Sequence, residues 1–312
     1  RWWNKYEQLL KPSGALWKQN KIMNDDLPLS LAEARIAIIG LGLMGGSLAL
    51  ALRGHCQACW GVDIDPKTLR LAKQRQVVDR VSADPNDILP EANVLVLAAP
   101  ISAILSWIER LPDLKRETSI VLDLGSAKMS ICRALENLPP RFVPLGGHPM
   151  TGKATSGLAH AEATLFRETV FALTPLKTTS TQARVITLEI VHAIGATPLW
   201  LNPGTHDAYV AATSHMPYLI SAALALSTPG EVASLIGPGF RSTTRLAGSG
   251  PRMMSDILLA NQAAVLNSLE RFRQQLDRLE RAIKRGDPDA LQHALTQVQH
   301  HLQVLLESEQ FY

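Results

Sequence analysis

Cysteine is scarce, with three in 312 residues at Cys56, Cys59 and Cys132. Cys56 and Cys59 are spaced C-x-x-C, but no second pair or histidine cluster accompanies them, so neither zinc nor any other metal is expected. The pair reads as a redox couple or, as favoured here, as small buried residues leading into a strand. Few thiols and no signal-peptide pattern imply a reducing cytoplasm. No apolar run reaches membrane-spanning length, so no membrane partner is expected. Clusters of lysine and arginine are missing, and the net charge is only +3. That argues against nucleic acid and suits a small anionic substrate. With 46% apolar and 19% charged residues the chain is globular, and its length allows two domains of ordinary size.

What the chain does carry begins at residue 35. Ile36, Ala37, Ile38 and Ile39 form a short apolar run, the mark of a parallel strand covered on both faces. Gly40-Leu41-Gly42-Leu43-Met44-Gly45 then fits G-x-G-x-x-G. The first glycine permits a tight turn, the second lets backbone approach a pyrophosphate, and the third lets a helix pack on the strand. The N-terminus of that helix, expected over 47–53, faces the anion. A second strand over 58–62 ends at Asp63, 23 positions after Gly40, close to the ~20-residue spacing at which an acid takes the adenosine ribose hydroxyls. An aspartate there repels a 2′-phosphate and favours NAD, with NADP the alternative. Asp63 also reads as a helix cap, although Asp65, before Pro66, is better placed for one.

Strands and helices then alternate. Helices are expected over 66–75, 101–110, 127–138 and 182–194. Strands are expected over 77–81, 92–98, 119–124, 142–145, 169–174 and 197–201. This pattern predicts an α/β fold with a Rossmann-type, doubly wound, mostly parallel sheet. From about Gly204 the pattern is wholly helical, with a stretch over 205–226 interrupted by Pro217. Leu266, Leu269, Phe272, Leu276, Leu279 and Ile283 recur at three- and four-residue steps. Such a seam packs either on a second subunit or in an intrachain hairpin. The expected organisation is an N-terminal extension over 1–34, a dinucleotide-binding domain over 35–202 and a helical substrate and dimerisation domain over 203–312. In the extension, Trp2, Trp3, Tyr6, Leu9 and Leu10 share one helical face, and packing on its own domain is favoured over docking to a partner. The first residue is Arg1 rather than Met, so the chain is expected to start inside a longer product.

Two polar groups stand just past strand ends, where ligands bind in open α/β sheets. Ser126 also reads as the cap of a helix starting at residue 127. His148 follows two glycines that permit close ligand approach, which favours a catalytic histidine over a structural one.

Three further stretches complete the pattern. They are Gly146-Gly147-His148-Pro149-Met150-Thr151-Gly152, Thr213-Ser214-His215-Met216-Pro217 and Gly239-Phe240-Arg241-Ser242-Thr243-Thr244-Arg245. With Asp123-Leu124-Gly125-Ser126-Ala127-Lys128, they resemble the prephenate/arogenate dehydrogenases of tyrosine biosynthesis over roughly residues 35–285. The resemblance implies a Rossmann-type domain, a helical dimerisation domain and a homodimer formed through the C-terminal helices. It also implies oxidative decarboxylation of prephenate or arogenate, to 4-hydroxyphenylpyruvate or tyrosine, with a hydride passing to a nicotinamide. By resemblance His148 is the base, Ser126 orients it or the substrate hydroxyl, and Arg245, His215 and Ser214 bind substrate. The cofactor is expected against Gly40, Gly42, Leu43, Met44, Gly45, Asp63, Ala99, Pro100 and Ser126. Three departures bear on the choice of substrate: Ser242 replaces a frequent aspartate, Met254 a tryptophan and Thr151 an alanine. The chain ends at Tyr312 without room for the regulatory domain that some members carry, so tyrosine feedback, if present, is expected to act at the active site. Two other readings compete, a different Rossmann-fold hydroxyacid dehydrogenase and a non-catalytic NAD-binding sensor. A dehydrogenase of the first kind often places a lysine base on a helix, and the second predicts decay of His148, Ser126 or Arg245.

Overall fold

The structure, a computed structural model, describes residues 27–28, 30–153 and 155–309. The aromatic positions Trp2, Trp3 and Tyr6 lie outside the described residues.

Alternation along one strand generates two cores. In β1 (Arg35–Ile39) Ile36 and Ile38 enter one apolar cluster, while Ala37 and Ile39 enter another on the opposite face. A strand side chain points to opposite faces in turn, so a run of apolar residues is stable only with helices on both sides. Those helices are α1 (Leu43–Ala51), α2 (Pro66–Gln74), α3 (Ile101–Leu114), α4 (Met129–Glu136) and α5 (Thr181–Ala193). The strands that alternate with them are β2 (Ala58–Val62), β3 (Arg80–Ser82), β4 (Val94–Leu97), β5 (Ser119–Asp123), β6 (Phe142–Pro149), β7 (Val170–Pro175) and β8 (Thr197–Trp200). The sheet order is β3-β2-β1-β4-β5-β6-β7-β8. All pairings are parallel except β6 with β7. The order reverses between β1 and β4, which opens a ligand crevice at their carboxyl ends.

Several local expectations shift. Helix α1 starts at Leu43 rather than at residue 47, because Gly45 and Gly46 are helical. A Cβ on Gly45 would lie 1.9 Å from the Gly40 carbonyl oxygen, and one on Gly46 would lie 2.3 Å from Leu158. Helix α4 starts at Met129 and not at residue 127, and Ser126 does not cap it. Strand β6 runs on to Pro149, so His148 lies within a strand. Its pairing with β5 ends at Leu145, and the extension pairs with β7 alone, His148 opposite Ala172. Asp65 does cap α2, accepting from the backbone N–H groups of Lys67 and Thr68 at 3.1 Å each.

After β8 come α6 (Pro203–Val210), a π-helical turn (Ala211–His215), α7 (Met216–Ser227), α8 (Pro238–Thr244) and α9 (Pro251–Ala260). The expected break at Pro217 is instead a widening of one continuous helix. Proline lacks the N–H that would reach the previous turn, and its ring clashes with the carbonyl four residues back, which the wider turn relieves. The merged helix, Pro203–Ser227, has 25 residues and is long and apolar enough to cross a membrane by length and composition. This corrects the expectation that no such run exists. Its His206, Asp207 and His215 are buried and bond within the chain.

By compactness the chain divides into 1–261 and 262–312, a later cut than the expected 202/203. Within the first unit, helices after residue 203 pack on the sheet domain, as where the Ser102 hydroxyl of α3 donates to Asp256 of α9 at 2.7 Å. Residues 27–34 do likewise: Leu27 and Leu31 are buried in one core, and the Leu31 N–H donates to Glu189 of α5 at 2.6 Å. The second unit is a hairpin of α10 (Gln262–Arg285) and α11 (Pro288–Glu309), turning at Gly286 with φ +61°. Asp287 caps α11. Of the heptad-like residues, Leu269, Phe272 and Leu279 are half-buried while Leu266, Leu276 and Ile283 are exposed.

Candidate active site

The glycine turn lies between β1 and α1 at the crevice. Gly40 has φ +96°, and a Cβ there would lie 2.5 Å from the Ala98 carbonyl oxygen. Gly42 caps α1 with no side-chain cap, and a Cβ added to it would meet nothing within 4 Å. The first N–H groups of α1 and the open face of Gly42 together form a cradle for an anion. Leu43 and Met44 form the first turn of α1, and Ala99 and Pro100 follow β4 across the crevice. Asp63 closes the other side. Its carboxylate accepts from the Leu41 N–H at 2.8 Å and from the Asp65 N–H at 2.9 Å. A carboxylate held beside the turn, with Ile64 exposed after it, fits the ribose end of a dinucleotide.

The Ser126 turn and the His148 strand are tied together by a buried ion pair. Asp123 and Lys128 are both fully buried and bonded to each other. Asp123 accepts from the Gly125 N–H at 2.8 Å and the Gly147 N–H at 3.2 Å, and Lys128 Nζ donates to the Gly147 carbonyl at 2.6 Å. Gly147 is required there, because a Cβ would sit 2.7 Å from the Asp123 carbonyl oxygen. The half-buried Ser126 hydroxyl makes no hydrogen bond among the described residues.

A chain of polar groups then runs from β6 into the helices. His148 Nδ1 lies 2.9 Å from His206 Nε2, with the rings edge to face at 65°. His206 Nδ1 lies 2.8 Å from Asp207 Oδ1. Asp207 also accepts from the backbone N–H groups of Lys128 and Met129, at 2.6 and 2.9 Å, and so supplies the cap of α4 that Ser126 does not. The Asn261 amide donates to the Asp207 carbonyl at 2.8 Å and lies 3.2 Å from His215 Nδ1. Because that amide is the donor, His215 Nδ1 accepts and its other nitrogen carries the proton.

Burial holds His148 well below the usual imidazole range, helped by the neighbouring His206, Lys128 and His215. Burial also lowers His215 to about 4, against an opposing pull from Asp207. Both are neutral near pH 7, which suits one to accept a proton and the other to donate a hydrogen bond.

Arg245 starts a short 3-10 turn after α8 and is exposed. It makes no ion pair among the described residues, and neither it nor exposed Ser214 bonds to the histidine cluster. Met254 is buried in the core beside α3, Thr151 donates to the Leu165 carbonyl at 3.2 Å, and Ser242 is exposed. The Cys56–Cys59 pair shows no redox poise, since burial raises both thiols, Cys56 to about 11. Sequence reasoning missed His206, Asp207 and Asn261. The available signal was His206-Asp207 in an otherwise apolar helix, where buried polar residues need partners.

Two family models cover most of the chain. Residues 48–198 match the nucleotide-binding domain of prephenate dehydrogenase, and residues 202–297 match the dimerisation domain of the same family. A cyclohexadienyl dehydrogenase of Zymomonas mobilis is 32% identical, over 82% of this chain and 90% of that protein. A prephenate dehydrogenase of A. aeolicus, solved with hydroxyphenyl propionate and NAD+, superposes with a TM-score of 0.81 at 28% identity, covering 88% of this chain and 99% of that one. A Synechocystis arogenate dehydrogenase gives 0.75 at 32% identity, over 87% of this chain and 99% of that one.

Proposed function

The chain belongs to the prephenate dehydrogenase family, and from that premise we propose that His148 is the general base of its reaction. The protein is an NAD-binding dehydrogenase that oxidatively decarboxylates prephenate, arogenate or both in tyrosine biosynthesis. The observation that carries the proposal is a half-buried, neutral histidine beside the crevice, linked through Lys128 to the turn that holds Ser126. When bound, the nicotinamide takes the hydride that leaves the carbinol carbon. His148 Nε2 removes the hydroxyl proton as the carbon–oxygen double bond forms. The carbon–carboxylate bond then breaks, CO₂ leaves, and the electron pair enters the ring. His148 returns its proton to the oxygen as the ring becomes aromatic, so the step balances without net proton release. Ser126 orients the hydroxyl or the base. Arg245 pairs with a substrate carboxylate, because burying an anion requires a fixed cation. His215 donates a hydrogen bond to the substrate, with Ser214 beside it on the π turn. Gly40, Gly42, Leu43, Met44, Gly45, Ala99 and Pro100 hold the dinucleotide.

The test is reduction of nicotinamide with prephenate and with arogenate, each offered NAD⁺ and NADP⁺. Turnover of either substrate with NAD⁺ is the expected result. No turnover in any combination, with NAD⁺ bound, would overturn the reading.

Asp63 is proposed to set the cofactor. Replacing its charge with the Asp63→Asn amide keeps an acceptor for Leu41 but removes repulsion of a 2′-phosphate. The ratio of kcat/KM for NADP⁺ over NAD⁺ is expected to rise by about 10- to 100-fold. An unchanged ratio would remove Asp63 from that role.

The homodimer is proposed to form through the C-terminal helices, whose exposed Leu266, Leu276 and Ile283 form an apolar face. Sedimentation should report two copies of the 34.0 kDa chain. Leu276→Glu should shift the balance toward monomer, and a dimer unaffected by it would place the interface elsewhere. A cytoplasmic location is part of the same proposal and accords with a reducing environment for the three thiols.

A further inference from the structure

His148 ends a hydrogen-bonded chain in which His206 and Asp207 have no part in the chemistry proposed so far. His206 is 1% exposed and Asp207 2%, so neither side chain reaches solvent. Both come from the first turns of α6, whereas His148 comes from β6.

The proton positions follow from donor and acceptor counting. An ionised carboxylate only accepts, so at 2.8 Å the hydrogen between Asp207 Oδ1 and His206 Nδ1 belongs to the ring. In the neutral ring that places the proton on Nδ1, His206 presents a bare lone pair at Nε2. Across 2.9 Å that lone pair must receive a hydrogen, and only His148 Nδ1 is there to give it. Neutral His148 therefore carries its proton on Nδ1 and keeps Nε2 open. A ring in the other tautomer would oppose two lone pairs at that distance. The carboxylate at the far end is itself fixed by the two N–H groups at the start of α4.

We propose that His206 and Asp207 are positioning residues that lock His148 in the tautomer whose Nε2 can accept the substrate proton. His206 touches the base rather than the substrate, and Asp207 acts through His206. The groups facing His148 are His206 from α6, His215 from the π turn and Lys128 before α4, with Asp207 paired to His206 and Asp123 to Lys128. The inference rests on His148 being the base.

Two substitutions of one residue separate this role from packing. In His206→Gln the amide oxygen falls where Nε2 was and still accepts from His148. In His206→Asn the amide nitrogen falls where Nδ1 was and still donates to Asp207, but nothing accepts from His148. Both shorten a buried polar side chain. Asparagine also leaves the larger void, so a packing role lowers stability and NAD⁺ affinity along with kcat, whereas a tautomer lock lowers kcat alone. The Asn variant is expected to lose about 100-fold in kcat, with KM and the dissociation constant for NAD⁺ within about threefold. The Gln variant should recover to within about tenfold of the parent. Equal losses in kcat, or an Asn variant with parental kcat, would overturn the proposal. His148→Asn, measured alongside, keeps the two readings apart. If it turns over normally, the base assignment falls; if it is inactive while His206→Asn is normal, only the lock falls.

Discussion

His148→Asn is expected to lower kcat by roughly 10³-fold, within the span that a positioned general base contributes. The asparagine keeps an amide near the Nδ1 position, so the contact with His206 and the β6–β7 pairing survive. It has no group that takes up a proton, so the hydroxyl must lose its proton to water while the hydride leaves. NAD⁺ affinity should stay within about twofold, because the dinucleotide cradle is built from β1, α1 and Asp63, not from β6. The measurement is steady-state turnover beside NAD⁺ binding. Parental kcat would remove His148 from the mechanism, and loss of both turnover and binding would mean that the substitution had damaged the fold. The pH profile adds a sign. Burial and three neighbours push the imidazole well below 6.5, so the base form persists as pH falls through that value. The acidic limb of kcat/KM should therefore lie below pH 6.5, and a limb above it would contradict a neutral base. Stability has the same origin. His148 and His215 bind protons more readily unfolded than folded, so stability declines as pH drops below about 6.5, toward the value of about 4 held by His215.

Why His148 was legible in the sequence and its partners were not is a matter of phase. His148 announced itself through Gly146-Gly147 and Pro149, residues whose types constrain the backbone wherever they occur. The doubly wound sheet was equally legible, because each strand is a short apolar run and each turn ends in glycine, proline or a polar cap. What failed near the site was the strand end. Residues 142–145 are apolar and read as a whole strand, yet β6 continues through both glycines to Pro149 by pairing with β7. That pairing is antiparallel and nonlocal, and nothing within the segment encodes it.

His206 and His215 were obscured differently. Nine residues apart on a regular α-helix, they would sit about 180° from each other. The π turn over Ala211–His215 absorbs one residue and brings the separation to roughly 80°. Both rings can then face the same polar chain. The proline that signals a break in the sequence widens the turn instead, because the ring clash is relieved without ending the helix. Asn261, 46 residues further on, reaches His215 only through tertiary packing. The cap of α4 shows the same limit. Ser126 had the right residue type and position for a local cap, but Asp207, 79 residues from Lys128, holds that place.

The largest structural effect is expected at Lys128. Lys128→Met removes the cation from a pair in which both side chains are fully buried. Asp123 then keeps only the N–H groups of Gly125 and Gly147 against its charge. Breaking a buried pair at one partner costs about 3–5 kcal/mol, since an uncompensated charge stays in a medium of low polarity. In a domain of this size that corresponds to a fall in Tm of roughly 10 °C. Adding Asp123→Asn removes the stranded charge while keeping an acceptor for one N–H, so the double variant should be less destabilised than Lys128→Met alone. A single variant within about 1 kcal/mol of the parent would show that the pair contributes little to stability. The substitution also acts on the site. Lys128 Nζ holds the Gly147 carbonyl, one peptide before His148, and its charge disfavours protonation of that ring. Without it, the acidic limb of kcat/KM should move to higher pH and kcat should fall. Movement of the limb to lower pH would mean that the cation does not act on the base. The same ion pair would then be a purely structural tie between the Ser126 turn and β6, because a charge that governs a neighbouring imidazole cannot be removed without moving its titration upward.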